Sequence, residues 1–241
     1  MQRDTLFQQR RGTEPFRFDH QVATVFSDMI RRSVPGYPLT LEMITVIAKR
    51  YARDGSLIFD LGCSLGDSAQ ALRMGAEERA SRIIAVDNSR EMVVRCRQRF
   101  STPSSGTVPV QIICADITDL RFANASVVSL NFTLQFIPPP QRLALLQAIY
   151  HGMNPGAALL ISEKITFDDD ATATTLADLH ADFKLQQGYS ELEISRKREA
   201  LEVVLIPDTM AQHRHRLQQA GFGKIIPWFQ CFNFVSLLAI R

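Results

Sequence analysis

The chain has 241 residues, 46% of them hydrophobic and 22% charged, which is the composition of a globular protein and a length that serves one large domain or two small ones. Its 27 Lys and Arg against 25 Asp and Glu leave a net charge of +2, too small to argue for nucleic acid or a membrane surface as a partner. No apolar run approaches the ~18–20 residues of a membrane span, and Met1-Gln2-Arg3-Asp4 lacks the apolar core of a signal peptide.

Residues 1–36 are polar and mixed, with helical periodicity at Val22, Ala23, Phe26, Met29 and Ile30. Ser33-Val34-Pro35-Gly36-Tyr37-Pro38 reads as a turn, because proline and glycine both break a helix. A helix over about 39–51 follows, with apolar residues at Met43, Ile44, Ile47 and Ala48. Residues 1–54 are therefore expected to form an N-terminal helical arm packing on a core of residues 55–241.

The core opens with Leu57-Ile58-Phe59-Asp60-Leu61, an apolar strand that runs into Gly62-Cys63-Ser64-Leu65-Gly66. Glycine permits a positive φ and lets backbone approach a ligand. A helical pattern over 67–74 follows, so strand, glycine-rich turn and helix open a nucleotide-binding βαβ unit. A second strand over 82–86 ends in Asp87, and an acid there can accept hydrogen bonds from ribose hydroxyls. A third strand over 110–114 ends in Ala115-Asp116-Ile117, and a fourth over 127–130 ends in Asn131-Phe132-Thr133. Four strands in order thus end in polar side chains on the edge where open α/β sheets bind ligands. Residues 101–109 form a Ser/Pro/Gly loop between them. A helix begins at Pro138-Pro139-Pro140, Asn154-Pro155-Gly156 is a turn, and 157–162 is a fifth strand.

The alternation then stops. Residues 167–205 read as two helices joined at Gln187-Gly188-Tyr189-Ser190, with Ser190 and Glu193 forming a capping box. This insertion precedes the last αβ unit, so it is expected to cover the ligand edge of the sheet. A helix over 209–220 and two strands over 224–230 and 232–240 complete the chain, the strands as antiparallel neighbours.

The four cysteines, Cys63, Cys96, Cys114 and Cys231, show no metal-ligand spacing and read as reduced thiols of a cytoplasmic protein. Arg95, Arg97 and Arg99, and the run His213-Arg214-His215-Arg216, read as solvated helix faces. Gly62-x-Ser64-x-Gly66 also fits a hydrolase nucleophile elbow, with His180, His213 or His215 as base. That elbow normally follows several strands, and here it follows the first. An NAD-binding loop would place Asp67 against a pyrophosphate, which is unfavourable for an anion and tolerable for a cationic sulfonium. Asp87 and Asp116 also have a structural reading as helix caps, Asn131 as a loop anchor, Arg198 as a surface charge and Tyr37 as a turn aromatic.

A mostly parallel, doubly wound sheet of seven strands with an antiparallel last strand and a helical cap resembles the class I S-adenosylmethionine-dependent methyltransferase fold. Asp60-x-Gly62-x-Ser64-x-Gly66 is similar to that superfamily's first motif, with Ser64 where glycine is commoner. Five phrases resemble a narrower family, the carboxy-S-adenosyl-L-methionine synthases. They are Arg31-Arg32-Ser33-Val34-Pro35-Gly36-Tyr37, Asp60-Leu61-Gly62-Cys63-Ser64-Leu65-Gly66, Asn131-Phe132-Thr133-Leu134-Gln135-Phe136, Gly188-Tyr189-Ser190-Glu191-Leu192-Glu193-Ile194-Ser195 and Trp228-Phe229-Gln230-Cys231-Phe232-Asn233-Phe234. Arg3-Asp4-Thr5-Leu6-Phe7 fits as well.

The resemblance implies that S-adenosyl-L-methionine and prephenate give carboxy-S-adenosyl-L-methionine, phenylpyruvate and water, with no metal. A sulfonium acidifies its methyl group, and prephenate decarboxylation supplies both the CO2 and a hydroxide that takes the methyl proton. The product would pass to a partner tRNA carboxymethyltransferase acting on the wobble uridine. By the same resemblance Tyr37, Gly62, Cys63, Ser64, Asp87, Asn88, Asp116, Ile117 and Asn131 contact the cofactor. Arg198 meets the transferred carboxylate as the catalytic residue, and the protein is a homodimer that binds no nucleic acid itself. Asp67-Ser68-Ala69-Gln70 is more polar than the family's run. The runner-up is a conventional methyltransferase acting on tRNA or a small molecule, and a third reading is a protein that only holds the nucleoside.

Overall fold

Four apolar segments form parallel neighbours in the computed structural model: Leu57–Leu61 (β1), Arg82–Asp87 (β2), Val110–Cys114 (β3) and Ala125–Asn131 (β4). The structure describes residues 2–9, 15–77, 79–102 and 107–241. Residues 1 and 10–14 of the expected arm, and 103–106 of the expected loop over 101–109, lie outside the described residues. Helices Asp67–Ala76 (α4) and Arg90–Arg99 (α5) make the crossovers from β1 to β2 and from β2 to β3. Ahead of them lie Leu6–Gln9 (α1), His20–Ser33 (α2) and Tyr37–Tyr51 (α3).

The chain then winds the other way. Helix Pro139–Gly152 (α6) leads to Met153–Thr166 (β5) beside β4, and helix Met210–Ala220 (α9) leads to Lys224–Cys231 (β7) and Phe234–Ile240 (β8). The sheet order is β3-β2-β1-β4-β5-β8-β7, with β8 antiparallel to both neighbours. Winding reverses between β1 and β4, so the crevice at the C-terminal ends of those two strands is the binding position of a doubly wound sheet. An eighth strand, Asp208–Thr209 (β6), pairs only with the end of β5 and had no signature in the sequence.

Alternation along the strands splits the core between two faces. Ile58, Val127 and Leu160 pack with Ile44 of α3 and Leu72 of α4. Phe59, Val128, Leu159 and Ile161 pack with Leu146 and Ile149 of α6 and Leu217 of α9. Full burial of each such side chain is worth about 1.5–3 kcal/mol, so both helical layers are held by the same strands.

One detail departs from the sequence expectation. Asn154-Pro155-Gly156 is not a turn before the fifth strand but an irregular stretch inside β5: Met153 pairs with Ala125 and Ala158 with Val127, so residues 154–157 bulge opposite Ser126. Gly156, at φ +74°, supplies the left-handed residue that such a bulge needs. Pro227 sits in the expected strand over 224–230, on β7 at the sheet edge and beside a register shift, a position where proline is tolerated.

The insertion forms two helices, Asp170–Gln186 (α7) and Glu191–Glu202 (α8). Asp169 caps α7, and the Ser190–Glu193 capping box starts α8. The insertion leaves from the far end of β5 and returns through β6 beside that same end. A buried guanidinium pins the return: Arg142 pairs with Asp208 and donates to the carbonyls of Ile137, Gln135 and Ile206. Burial alone would raise the Asp208 carboxyl, but Arg216 and Arg142 hold it below the usual range.

The cap is also tied to the N-terminal segment. Buried Asp4 accepts from the Tyr189 hydroxyl at 2.6 Å and lies 3.6 Å from the Lys197 ammonium. The Lys197 ammonium donates to Ser33 Oγ at 2.8 Å, and the Arg32 guanidinium stacks 3.9 Å above the Tyr189 ring. The segments Arg3-Asp4, Arg32-Ser33 and Gly188-Tyr189-Ser190 therefore meet at one place.

Candidate active site

The glycine turn after β1 is dictated by space as much as by φ. Gly62 adopts φ +77°, and a Cβ there would lie 2.3 Å from Thr133 Oγ1. That hydroxyl donates to the Leu61 carbonyl at 2.8 Å, so the loop after β4 locks onto the loop after β1. Ser64 is left-handed at φ +47°, a conformation costing a non-glycine residue about 1–2 kcal/mol. Its N–H donates to Asp87 Oδ2 at 2.8 Å, which offsets part of that cost. Gly36 is constrained in the same way, since its Cβ would meet the Phe229 ring at 2.5 Å.

Two adjoining cavities open on this edge. The larger, 440 Å³, lies under the cap and is lined by Tyr37, Gly62, Cys63, Ser64, Asn131 and Arg198 among others. The smaller, 100 Å³, is lined by Gly62, Ser64, Asp87, Asn88, Asp116 and Ile117. All ten residues singled out in the sequence thus border one cavity or both. The sequence reading passed over the wall the cavities share, Phe18, Phe132 and Phe136. Phe18 and Phe136 meet edge to face at 5.3 Å.

Acidic side chains gather at the glycine turn: Asp67 and Asp87 line the cavities, and Asp60 is buried near both. Both oxygens of buried Asp60 lack a hydrogen-bond partner, as does Oδ1 of Asn131, whose amide donates to Ser68 Oγ. Burial, followed by the neighbouring Asp87 and Asp67 charges, pushes Asp60 up to about 8. Burial also raises Asp87, against the pull of the Ser89 and Ser64 N–H groups. Each Asp87 oxygen accepts one of those N–H groups, and a carboxylate has further lone pairs for a ribose. Asp116 uses Oδ1 to cap the short turn Ile117–Asp119, so its structural and ligand roles are compatible. Tyr37 is buried and donates to Asp67 at 3.4 Å. Cys63 and Cys96 are free, buried thiols; the contact with Cys96 and burial hold the Cys63 thiol protonated.

The roof is basic. Lys164 from the end of β5, Lys184 from α7 and Lys197 and Arg198 from α8 line the larger cavity. Burial, then the charges of Lys197, Lys164 and Arg198, brings Lys184 down to about 7, and burial brings Lys197 down to about 8 against the pull of Asp4. Arg198 is exposed and makes no hydrogen bond or ion pair among the described residues. The lysines gave no signal in the sequence, where a lone lysine on a helix reads as a surface charge.

The hydrolase reading finds no base at Ser64. His180 donates from Nε2 to the Ser33 carbonyl at 2.8 Å and burial lowers it to about 3; His213 is buried on α9 and His215 is exposed there. Among the described residues no cluster of three or more His, Cys, Asp and Glu could hold a metal ion. No helix there is long and apolar enough to cross a membrane.

An unpartnered carboxylate and an unpartnered amide oxygen around a glycine turn suit the cationic sulfonium and ammonium of S-adenosyl-L-methionine. Residues 58–156 match the family model described as a methyltransferase domain. The chain is 52% identical over 238 residues to a carboxy-S-adenosyl-L-methionine synthase of Marinobacter nauticus, covering 99% of this chain and 95% of that one. It is 54% identical over 226 residues to one of Trichlorobacter lovleyi, covering 94% and 93%. In fold it is similar to the S-adenosylmethionine-dependent methyltransferase SibL, with TM-score 0.65 at 19% identity over 98% of this chain and 64% of that one. Identity above half over nearly the full length of both chains is decisive: the chain belongs to the carboxy-S-adenosyl-L-methionine synthase family.

Proposed function

We propose that this enzyme makes carboxy-S-adenosyl-L-methionine from S-adenosyl-L-methionine and prephenate, releasing phenylpyruvate and water. The observation that carries this reading is the cationic roof: Lys164, Lys184 and Arg198, on and under the cap, line the same cavity as the glycine turn. A methyltransferase needs room for a nucleophile beside the methyl group and gains nothing from cations there. An enzyme that leaves a carboxylate on that carbon needs them, since a buried unpaired carboxylate is costly.

When bound, S-adenosyl-L-methionine supplies a methyl group acidified by its sulfonium. Tyr37, Asp60 and Asn131 orient the cationic end, and Asp87 and Asp116 the nucleoside. Decarboxylation of prephenate releases CO2 and hydroxide in place, and the hydroxide takes the methyl proton, so no strong protein base is required. Phe18, Phe132 and Phe136 exclude water from that exchange. Arg198 presents a planar fork, which pairs a carboxylate bidentately, to the group being transferred. The protein's work is positioning and electrostatics.

In this reading the enzyme is a cytoplasmic homodimer that binds no tRNA and hands its product to a tRNA carboxymethyltransferase acting on the wobble uridine. Leu179, Leu185, Leu192 and Val203, exposed on and beside the cap helices, supply apolar surface for pairing two copies. A gel shift at physiological salt should show no tight tRNA binding, since phosphate contacts dominate such affinity. The reaction is tested by incubating the protein with both substrates and identifying the nucleoside by mass spectrometry. Carboxy-S-adenosyl-L-methionine is expected; S-adenosylhomocysteine from an added acceptor would favour the methyltransferase.

A further inference from the structure

The roof of the cavity holds more positive charge than one carboxylate needs. Lys197 is engaged by Asp4 and Ser33. The ammonium groups of Lys164 and Lys184 have no hydrogen bond or ion pair among the described residues, although both side chains are only partly exposed. Glu202 lines the same cavity and is the carboxylate that acts on Lys164. When Lys184, brought down to about 7, carries its proton, Glu202 leaves two positive charges uncompensated among Lys164, Lys184 and Arg198. His180 adds none, being neutral and turned to the Ser33 carbonyl. The three cations come from three elements, β5, α7 and α8, so they surround the space between sheet and cap rather than sharing one helix face.

We propose that Lys164 and Lys184 form a second anion subsite, which holds a carboxylate of the co-substrate other than the one met by Arg198. This rests on the reading above that prephenate, a dicarboxylate, is the co-substrate. The division follows from the side chains. Arg198 offers a fork for the carboxylate whose geometry matters to the reaction, whereas an ammonium is a compact charge with rotatable donors, suited to anchoring the flexible side-chain carboxylate that stays behind. Mutual repulsion of the two ammonium groups would be relieved when that anion enters, which favours a dianion over a monoanion. The subsite therefore selects the co-substrate and leaves S-adenosyl-L-methionine binding alone.

The test is equilibrium titration of phenylpyruvate, which keeps the side-chain carboxylate and lacks the transferred one, and of prephenate, both at saturating S-adenosyl-L-methionine. Lys164→Met/Lys184→Met should weaken phenylpyruvate at least tenfold while keeping its affinity for S-adenosyl-L-methionine within twofold. Lys184→Arg in the wild-type background should keep most phenylpyruvate affinity, and Arg198→Ala should retain it. Wild-type protein that binds S-adenosyl-L-methionine but neither acid would overturn the dicarboxylate reading, and the subsite with it. Wild-type protein that binds phenylpyruvate no better than the double lysine variant would overturn the subsite alone.

Discussion

Asp60 is the residue through which pH should control ligand binding. Burial, then the Asp87 and Asp67 charges, pushes its carboxyl up to about 8 against the pull of the Ala69 N–H, with the Tyr37 phenol close by. At pH 7 about nine in ten molecules of free protein hold a proton there. A bound sulfonium favours the ionised form, so binding expels that proton. Between pH 6.5 and 8.5 the ionised fraction rises about 25-fold, equivalent to about 2 kcal/mol. S-adenosyl-L-methionine should therefore bind up to ~25-fold more tightly at pH 8.5 than at 6.5 and level off above it. Stability runs the other way. The folded pKa lies above the unfolded value, so ligand-free protein loses stability as pH rises from about 4 to about 8. Calorimetry at pH 7 in two buffers of different ionisation enthalpy should show nearly one proton released. Asp60→Asn, of the same shape, should flatten the profile and abolish the release. A wild-type affinity that stays flat over this range without proton release would refute the reasoning.

Four further outcomes follow from the same structure. Arg142→Met removes one of the two arginines on Asp208, Arg216 remaining, and leaves the Ile137 and Ile206 carbonyls without their guanidinium donor; each lost donor costs about 1–3 kcal/mol, read as a melting point lower by several degrees. Gly62→Ala places a Cβ 2.3 Å from Thr133 Oγ1 at φ +77°, and calorimetry should show S-adenosyl-L-methionine binding lost while circular dichroism keeps the native content. Asp4→Asn removes the carboxylate beside the Lys197 ammonium, so chemical denaturation should show a larger loss at pH 6, where the lysine is charged, than at pH 9. Arg198→Ala should fold normally, keep most of its affinity for S-adenosyl-L-methionine, and lose about 1–3 kcal/mol of preference for the carboxylated nucleoside in parallel titrations.

The parts of the fold visible in the sequence were those with local causes. Buried parallel strands are apolar runs, so 57–61, 82–86 and 110–114 stood out, and the polar ends at Asp87, Asp116 and Asn131 located the ligand edge. Ser190 and Glu193 announced a helix start because a capping box is contained within four residues. Asn154-Pro155-Gly156 misled because a bulge uses the same left-handed glycine as a turn. The pair Asp208–Thr209 is too short to show a pattern, and its place beside β5 depends on Arg142, 66 residues away. The Asp4–Tyr189 bond spans 185 residues, and no periodicity reports such a contact. Lys164 and Lys184 acquire meaning only when strand and cap enclose the same space. The resemblance to a family supplied the site residues by position; the cationic roof over the glycine turn came from the structure.

The central claim is that a carboxyl group leaves prephenate and arrives on the methyl carbon of S-adenosyl-L-methionine. Prephenate labelled with carbon-13 in its ring carboxylate tests it directly. After incubation with the protein and S-adenosyl-L-methionine, mass spectrometry should find the label in a nucleoside heavier by one CO2, with unlabelled phenylpyruvate formed in equal amount. An unchanged nucleoside, with the label released as free CO2 or left in prephenate, would contradict the account.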